Sequence, residues 1–244
     1  GAPPLILEDV SFALDNSGRQ HRFGLTAVPP PELAARIDLR GDFRGRDLDK
    51  LATWKGDAFV QIDYADLAGW RAWGDYPVAL PRGHGAMRVW ATFAAGSLQE
   101  LTADLALRDV VVRLATDLPA LELDRMSGRI GASFLPAGAR VTGQQVALAS
   151  TMSDGHSVAA DRQIRMEPTD FRIEWERQSG VDAVRGSATA SSLDLGATSR
   201  LAAHLPLDDA TRRLLAQFAP SGRTSELRTT WVGNAQALEA YSLK

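Results

Sequence analysis

Phe171-Arg172-Ile173-Glu174-Trp175-Glu176 decides the class of the fold. Three apolar side chains alternate with three charged ones, and a period of two suits a strand with one dry face and one wet face, not a helix. The same alternation recurs through Val60, Ile62 and Tyr64, and through Met87, Val89, Ala91 and Phe93. It recurs again through Met126, Ile130 and Phe134, which flank Gly128, and through Val146 with Leu148. Residues 5–14 also read as a strand. Between Leu101 and Leu114 the phase changes, since Leu101, Ala103, Leu105 and Leu107 are odd while Val110, Val112 and Leu114 are even. A bulge or bend at Arg108-Asp109 would put both halves on one face.

Helical signals are fewer and shorter. Residues 207–218 form an amphipathic pattern with Asp208 or Asp209 at the N-terminus and Pro220 beyond the end. A second short helix is expected over residues 67–73, introduced by Asp66 and closed by Gly74 and Pro77, and a third over residues 196–203, ahead of Pro206. The chain is therefore read as mainly β and antiparallel, with a few short helices and with strand exceeding helix at least about twofold, against the usual base rate.

The composition is that of a folded segment, at 45% apolar and 23% charged residues. A net charge of −3 with no run of Lys or Arg argues against nucleic acid as a partner. The absence of cysteine excludes disulfides and thiolate-bound metal but fits both cytosol and periplasm. No apolar stretch reaches the roughly 18 residues of a membrane-spanning helix. The opening Gly1-Ala2-Pro3-Pro4, followed at once by a strand pattern, and the closing Tyr241-Ser242-Leu243-Lys244 lead to the expectation that residues 1–244 are one segment excised from a longer chain, with no independent second domain. A loose echo relates Trp54-Lys55-Gly56 to Trp231-Val232-Gly233: strand, short helix, proline, glycine and strand run in order around Asp63 and again around Asp194, with Trp90 and Trp231 late in the final strands. It suggests about one unit of a repeated β architecture.

Signatures of catalysis are absent. His21, His84, His156 and His204 are dispersed and form no metal-ligand spacing. Gly83-His84-Gly85 lacks the rest of a phosphate loop and reads as a turn. Neither a G-x-S-x-G elbow nor a Walker lysine is present, and Asp104, Asp109, Glu174 and Glu176 read as the wet sides of strands. The expectation is a protein that is not an enzyme and needs no cofactor or metal. Trp54, Trp70, Trp73 and Trp90 could line a sugar cleft or mark a membrane interface, but are read first as packing, with Trp70 and Trp73 holding a short helix onto the sheet that carries Trp54 and Trp90.

One stretch carries a family likeness. Trp54-Lys55-Gly56-Asp57-Ala58-Phe59-Val60-Gln61-Ile62-Asp63-Tyr64-Ala65-Asp66-Leu67 followed by Trp70-Arg71-Ala72-Trp73 resembles YhdP-type proteins of the AsmA-like family, in which a W-x-G strand leads into a D-x-x-x-L turn and a tryptophan helix. The likeness continues in order through residues 81–90 and 103–110, Leu118-Pro119-Ala120-Leu121, Ser127-Gly128-Arg129, Leu205-Pro206-Leu207, Ala219-Pro220-Ser221-Gly222, Trp231-Val232-Gly233 and Tyr241. Gly74-Asp75-Tyr76 and Ser221 depart from it.

That resemblance, shared with TamB-like periplasmic lipid-transfer proteins, implies a long curved antiparallel sheet of repeating β-groove type. It implies the periplasmic part of an inner-membrane-anchored protein, with phospholipid, neighbouring segments of the full-length chain and, through parts absent here, the membrane as partners. The groove candidates are Val60, Ile62, Met87, Val89, Phe93, Leu101, Leu105, Leu107, Phe171, Ile173 and Trp175, which would solvate acyl chains at about 0.8 kcal/mol per methylene. Two rivals stay open at this point: a purely structural or assembly β-domain with a closed core, and a carbohydrate-binding β-sandwich built on the tryptophans.

Overall fold

Alternating sequence becomes strand almost throughout. The computed structural model describes residues 2–46, 48–76, 78–150, 152–153, 156–157, 163–177, 184–207, 209–234 and 237–243, and 66% of them are strand. The strands are β1 (Glu8–Ser17), β2 (Gln20–Val28), β3 (Ile37–Arg44), β4 (Lys55–Asp66), β5 (Ala79–Ala94), β6 (Ser97–Arg113) and β7 (Leu121–Leu135). They continue as β8 (Gly138–Ser150), β9 (Met152–Ser153), β10 (His156–Ser157), β11 (Ile164–Arg177), β12 (Val184–Asp194), β13 (Arg223–Asn234) and β14 (Ala237–Leu243). Two helices, α1 (Leu195–Ala202) and α2 (Asp209–Phe218), separate β12 from β13. Twelve strands form one curved, unclosed antiparallel sheet in the order β1-β2-β3-β4-β5-β6-β7-β8-β11-β12-β13-β14, and β9 with β10 forms a separate small ribbon.

In such a meander successive connections fall on alternate rims of the sheet. Along one rim lie the tight turns at 18–19, 95–96 and 136–137, together with a 3-10 segment, Leu48–Thr53. Along the other lie the longer connections, from β2 to β3, β4 to β5, β6 to β7 and β8 to β11, and the one that carries α1 and α2. Leu67 and Leu201, which belong to those connections, pack against Leu107, Val110, Leu121, Leu123, Val146, Leu148 and Ile164, all buried. Residues 29–36 add Ala34, 1% exposed, to Ile62 and Ala65, and the Ala34–Ala65 bridge ties that connection to β4. The core is thus confined to one rim.

The bulge expected at Arg108-Asp109 is present. Asp109 has φ +50°, and between the pairs Arg82–Val111 and His84–Arg108 strand β6 has two residues, Asp109 and Val110, where β5 has one, Gly83, so Leu107 and Val110 can both enter the same buried cluster. Neighbouring strands break register near this level: β4 between Ile62 and Ala65, β7 and β8 around Gly128 and Gln145, and β11 between Met166 and Thr169. Each bulge bends its strand, so together they crease the sheet along a line across it. Gly83-His84-Gly85 is part of this crease, not the expected turn. It runs within β5 with φ of +152° and +148° at its glycines, and a Cβ on Gly85 would stand 2.2 Å from the Ala106 carbonyl oxygen.

The other corrections are local. The helix expected over residues 67–73 is one 3-10 turn, Gly69–Ala72. Asp66 Oδ1 accepts from the N–H of Ala68 and Gly69 at 3.0 and 3.1 Å and so starts it, and the N–H groups of Trp73 and Gly74 both return to the Trp70 carbonyl and end it. The first strand begins at Glu8 and not at Leu5, and Asp9, at φ +47°, breaks its register with β2 between Glu8 and Ser11. The third helix is α1, capped by Asp194 Oδ1 on the Ala197 N–H at 2.7 Å. α2 has Asp209 in its first turn, while Asp208 lies outside the described residues. The echo does not survive in the side chains. Trp90 pairs with Phe59 on one face of the sheet, and Trp231 pairs with Gly186 on the other.

Candidate functional site

All eleven groove candidates lie on one face, and the register explains why. Ile62, Met87 and Leu105 are cross-strand neighbours; so are Val60 and Val89, and Leu107 opposite Met126. Farther along, Phe171, Ile173 and Trp175 oppose Gly143, Val141 and Ala139. Following the pairs across the sheet gives three parallel rows. The first is mainly aliphatic: Leu25, Leu39, Val60, Val89, Ala103, Ile130, Gly143, Phe171, Ala190 and Leu227. The second is mostly small: Gly41, Ala58, Ala91, Leu101, Ala132, Val141, Ile173 and Ala188. The third, toward the rim of tight turns, alternates rings with small residues: Phe43, Gly56, Phe93, and later Phe134, Ala139, Trp175, Gly186 and Trp231. Rings lean over the glycines, so a Cβ on Gly186 would meet the Trp231 indole at 2.0 Å and one on Gly143 the Phe171 ring at 2.2 Å. Phe43 meets Phe23 at 6.1 Å and Phe93 at 6.5 Å between ring centroids.

Exposure divides this face in two. Ile62 and Leu107 are 9% and 7% exposed and sealed beneath the long connections, where Val60, Met87, Leu105 and Phe171 pack partly buried around them. Toward the other rim the face is uncovered: Phe12, Phe134, Ile173 and Trp175 are 60%, 47%, 37% and 38% exposed. Val89, Phe93 and Leu101 are half-buried. Ile173 and Trp175 therefore face the apolar side as their spacing requires, yet they are no better hidden from water than Glu174 on the opposite side.

The opposite face is polar and cross-linked by charge. Arg22 meets Asp42 at 3.0 Å, Arg129 Nη2 donates to Asp104 Oδ2 at 2.8 Å, and Arg140 and Arg172 both reach Glu174. Hydrogen bonds from Arg129 hold the Asp104 carboxyl below the usual carboxylate range, and those from Gln20 and then Arg22 do so for Asp42. Phe59 and Trp90 lie on this face, with the Arg40 and Arg129 guanidinium groups over their rings at 5.9 and 5.5 Å.

The tryptophans do not converge. Trp70 packs onto the Ala34–Ile62–Ala65 cluster, donates to the Leu33 carbonyl at 3.2 Å and meets Trp73 edge-on, as the packing reading requires. Trp54 stacks on His21 at the far end of β4, and Trp90 is on the other face. His84 lies 3.7 Å from Asp109 and His204 near the Pro119 carbonyl, while the side chain of His156 lies outside the described residues. Among the described residues no cluster of His, Asp or Glu could hold a metal ion, and no helix is long and apolar enough to cross a membrane.

A family model described as YhdP protein matches residues 6–244. The chain belongs to the YhdP family. It is thus a YhdP-type member of the AsmA-like group, and the half-open apolar face is a feature of a YhdP sheet. No curated protein and no solved structure matches the chain. The aromatic row beside glycines, and the division of the face into sealed and open halves, were not read from the YhdP sequence. Both depend on which residues stand opposite one another.

Proposed function

We propose that this YhdP-family chain is a periplasmic section of an inner-membrane-anchored phospholipid conduit that supports the outer-membrane barrier, with its apolar sheet face solvating acyl chains. The observation that carries the reading is the uncovered half of that face, an apolar surface running unbroken across strands from β1 to β13. Contiguous exposed apolar surfaces mark sites that bind lipid, ligand or protein. Ten strands from β2 to β13 at about 4.8 Å spacing give a lane of roughly 43 Å, against about 15 Å for one leaflet of hydrocarbon. An acyl chain lying in the lane would have the aliphatic row on one side and the aromatic row on the other.

Val89, Phe93, Leu101, Ile173 and Trp175 are the contact residues of this reading. Ile62 and Leu107 serve the sealed rim, which is the one feature that favours the purely structural alternative. Neighbouring segments of the full-length chain would extend the lane at the edge strands. The test is a photo-crosslinking residue at Ile173, compared with one at Arg172 on the opposite face, in the membrane-anchored full-length protein. Phospholipid adducts at Ile173 and none at Arg172 are expected. No adduct at Ile173, or equal adducts at both, would leave the structural alternative.

A further inference from the structure

The polar face carries a feature that the trough does not use. In register across β6, β7, β8 and β11 stand Arg108, Arg125, Ala149 and Arg165. Like charges placed directly opposite each other in a sheet are unfavourable, and elsewhere on this face arginines stand near carboxylates, as Arg129 near Asp104 and Arg140 near Glu174. Arg108 and Arg125 are both exposed and have no ion-pair partner among the described residues. The small Ala149 leaves a gap in the row, so Arg125 and Arg165 flank an open depression of about 770 Å³ that Ser127 also borders.

We propose that this row is a binding site for a phosphate group, a monoester or diester anion seated over Ala149 and held by Arg108, Arg125 and Arg165. Guanidinium groups present paired donors that match phosphate oxygens. An anion there would also offset the repulsion between Arg108 and Arg125, which stand directly opposite each other. The carboxylates bordering the depression do not neutralise those two arginines. Glu167 is bound to Arg165 at 3.0 Å, Asp109 faces His84, and Asp124 has a partner of its own. The site lies on the face opposite the trough and does not rest on the lipid reading.

The test is titration of the 244-residue chain with inorganic phosphate by calorimetry, at constant ionic strength in chloride. The double variant Arg108→Gln/Arg125→Gln is compared with a control, Arg185→Gln, at another exposed arginine. Saturable binding that weakens at least about tenfold in the double variant and stays unchanged in the control is expected, as for loss of a charge-assisted clamp. The double variant should melt no lower than the wild type, because it removes a like-charge pair, so lost binding is separable from lost folding. Vesicles of phosphatidylglycerol in phosphatidylcholine form the second arm. Vesicle binding that needs Arg108 and Arg125 identifies a lipid headgroup as the source of the phosphate, whereas phosphate binding without vesicle binding identifies a soluble one. The proposal is overturned if the wild-type chain shows no saturable phosphate binding, or if the double variant binds phosphate as tightly as the wild type.

Discussion

Placing the same charge at Leu107 and at Ile173 tests the division of the apolar face directly, because the two residues share a face and differ in what covers them. Full burial of a Leu or Ile side chain stabilises by about 1.5–3 kcal/mol. Leu107, at 7% exposed, has nearly all of this, and Ile173, at 37% exposed, about two-thirds. Replacing each with Asp therefore forfeits about 2.5 and about 1.5 kcal/mol respectively. The new carboxylate then separates them further. At 107 it would sit among Val110, Leu121 and Leu123 with no partner, adding about 3 kcal/mol or more. At 173 it can turn into water and adds close to nothing. Leu107→Asp should thus cost about 5 kcal/mol, enough to unfold a domain of ordinary stability or bring it to the edge, and Ile173→Asp about 1.5 kcal/mol. Urea unfolding followed by tryptophan fluorescence gives both numbers, with the slope checking that the same surface is exposed in each. If the two variants lose stability equally to within about 1 kcal/mol, the open half is covered in solution and the division is wrong.

The crease can be tested at a glycine. Gly85→Ala should destabilise by about 3 kcal/mol or more, since its Cβ would collide with the Ala106 carbonyl at a positive φ, whereas Gly24→Ala, with nothing within 4 Å of its Cβ, should be neutral or slightly stabilising; thermal melts of the pair decide it. Asp194→Ala removes the cap of α1 and should cost about 1 kcal/mol, while Asp194→Asn should retain most of the stability; hydrogen exchange at Ala197 reads the local effect. Acid should weaken the polar face: Asp104 and Asp42 have lowered pKa values when folded, so their contribution is complete above the ordinary carboxylate pKa of about 3.9 and is lost as pH falls through the lower folded value. Because both pairs are exposed the effect is small, and in urea titrations between about pH 5 and pH 3 Asp104→Asn should show a shallower acid slope than the wild type; an identical slope would mean that Arg129 contributes nothing to it.

Local patterns were legible wherever neighbours in sequence are neighbours in space. The alternation at Phe171 to Glu176 gave β11, the change of phase at Arg108-Asp109 gave the bulge, and the apolar spacing before Pro220 gave α2. Misreadings arose where a distant partner intervened. Glycines spaced as a turn at Gly83 and Gly85 lie inside a strand because Ala106, on the neighbouring strand, approaches the bare backbone. Two tryptophans that look equivalent, Trp90 and Trp231, occupy opposite faces because pairing sets Trp90 opposite Phe59 on the polar face and Trp231 opposite Gly186 on the apolar one.

The sequence by itself determined that this protein is an antiparallel β-sheet with one apolar face, and which side chains belong to it, since a strand's pleat assigns faces by counting residues. Only the tertiary structure decided which part of that face is a core and which part is left open. Leu107 and Ile173 are alike in the chain, each apolar with polar or small neighbours. One is sealed because Leu67 and Leu201, from connections at its end of the sheet, pack into its cluster, and the other, outside that cluster and toward the opposite rim, is left 37% exposed. Arg108, Arg125 and Arg165 likewise form a row only once three hairpins fix the register, because cross-strand distance is set by pairing and not by separation along the chain.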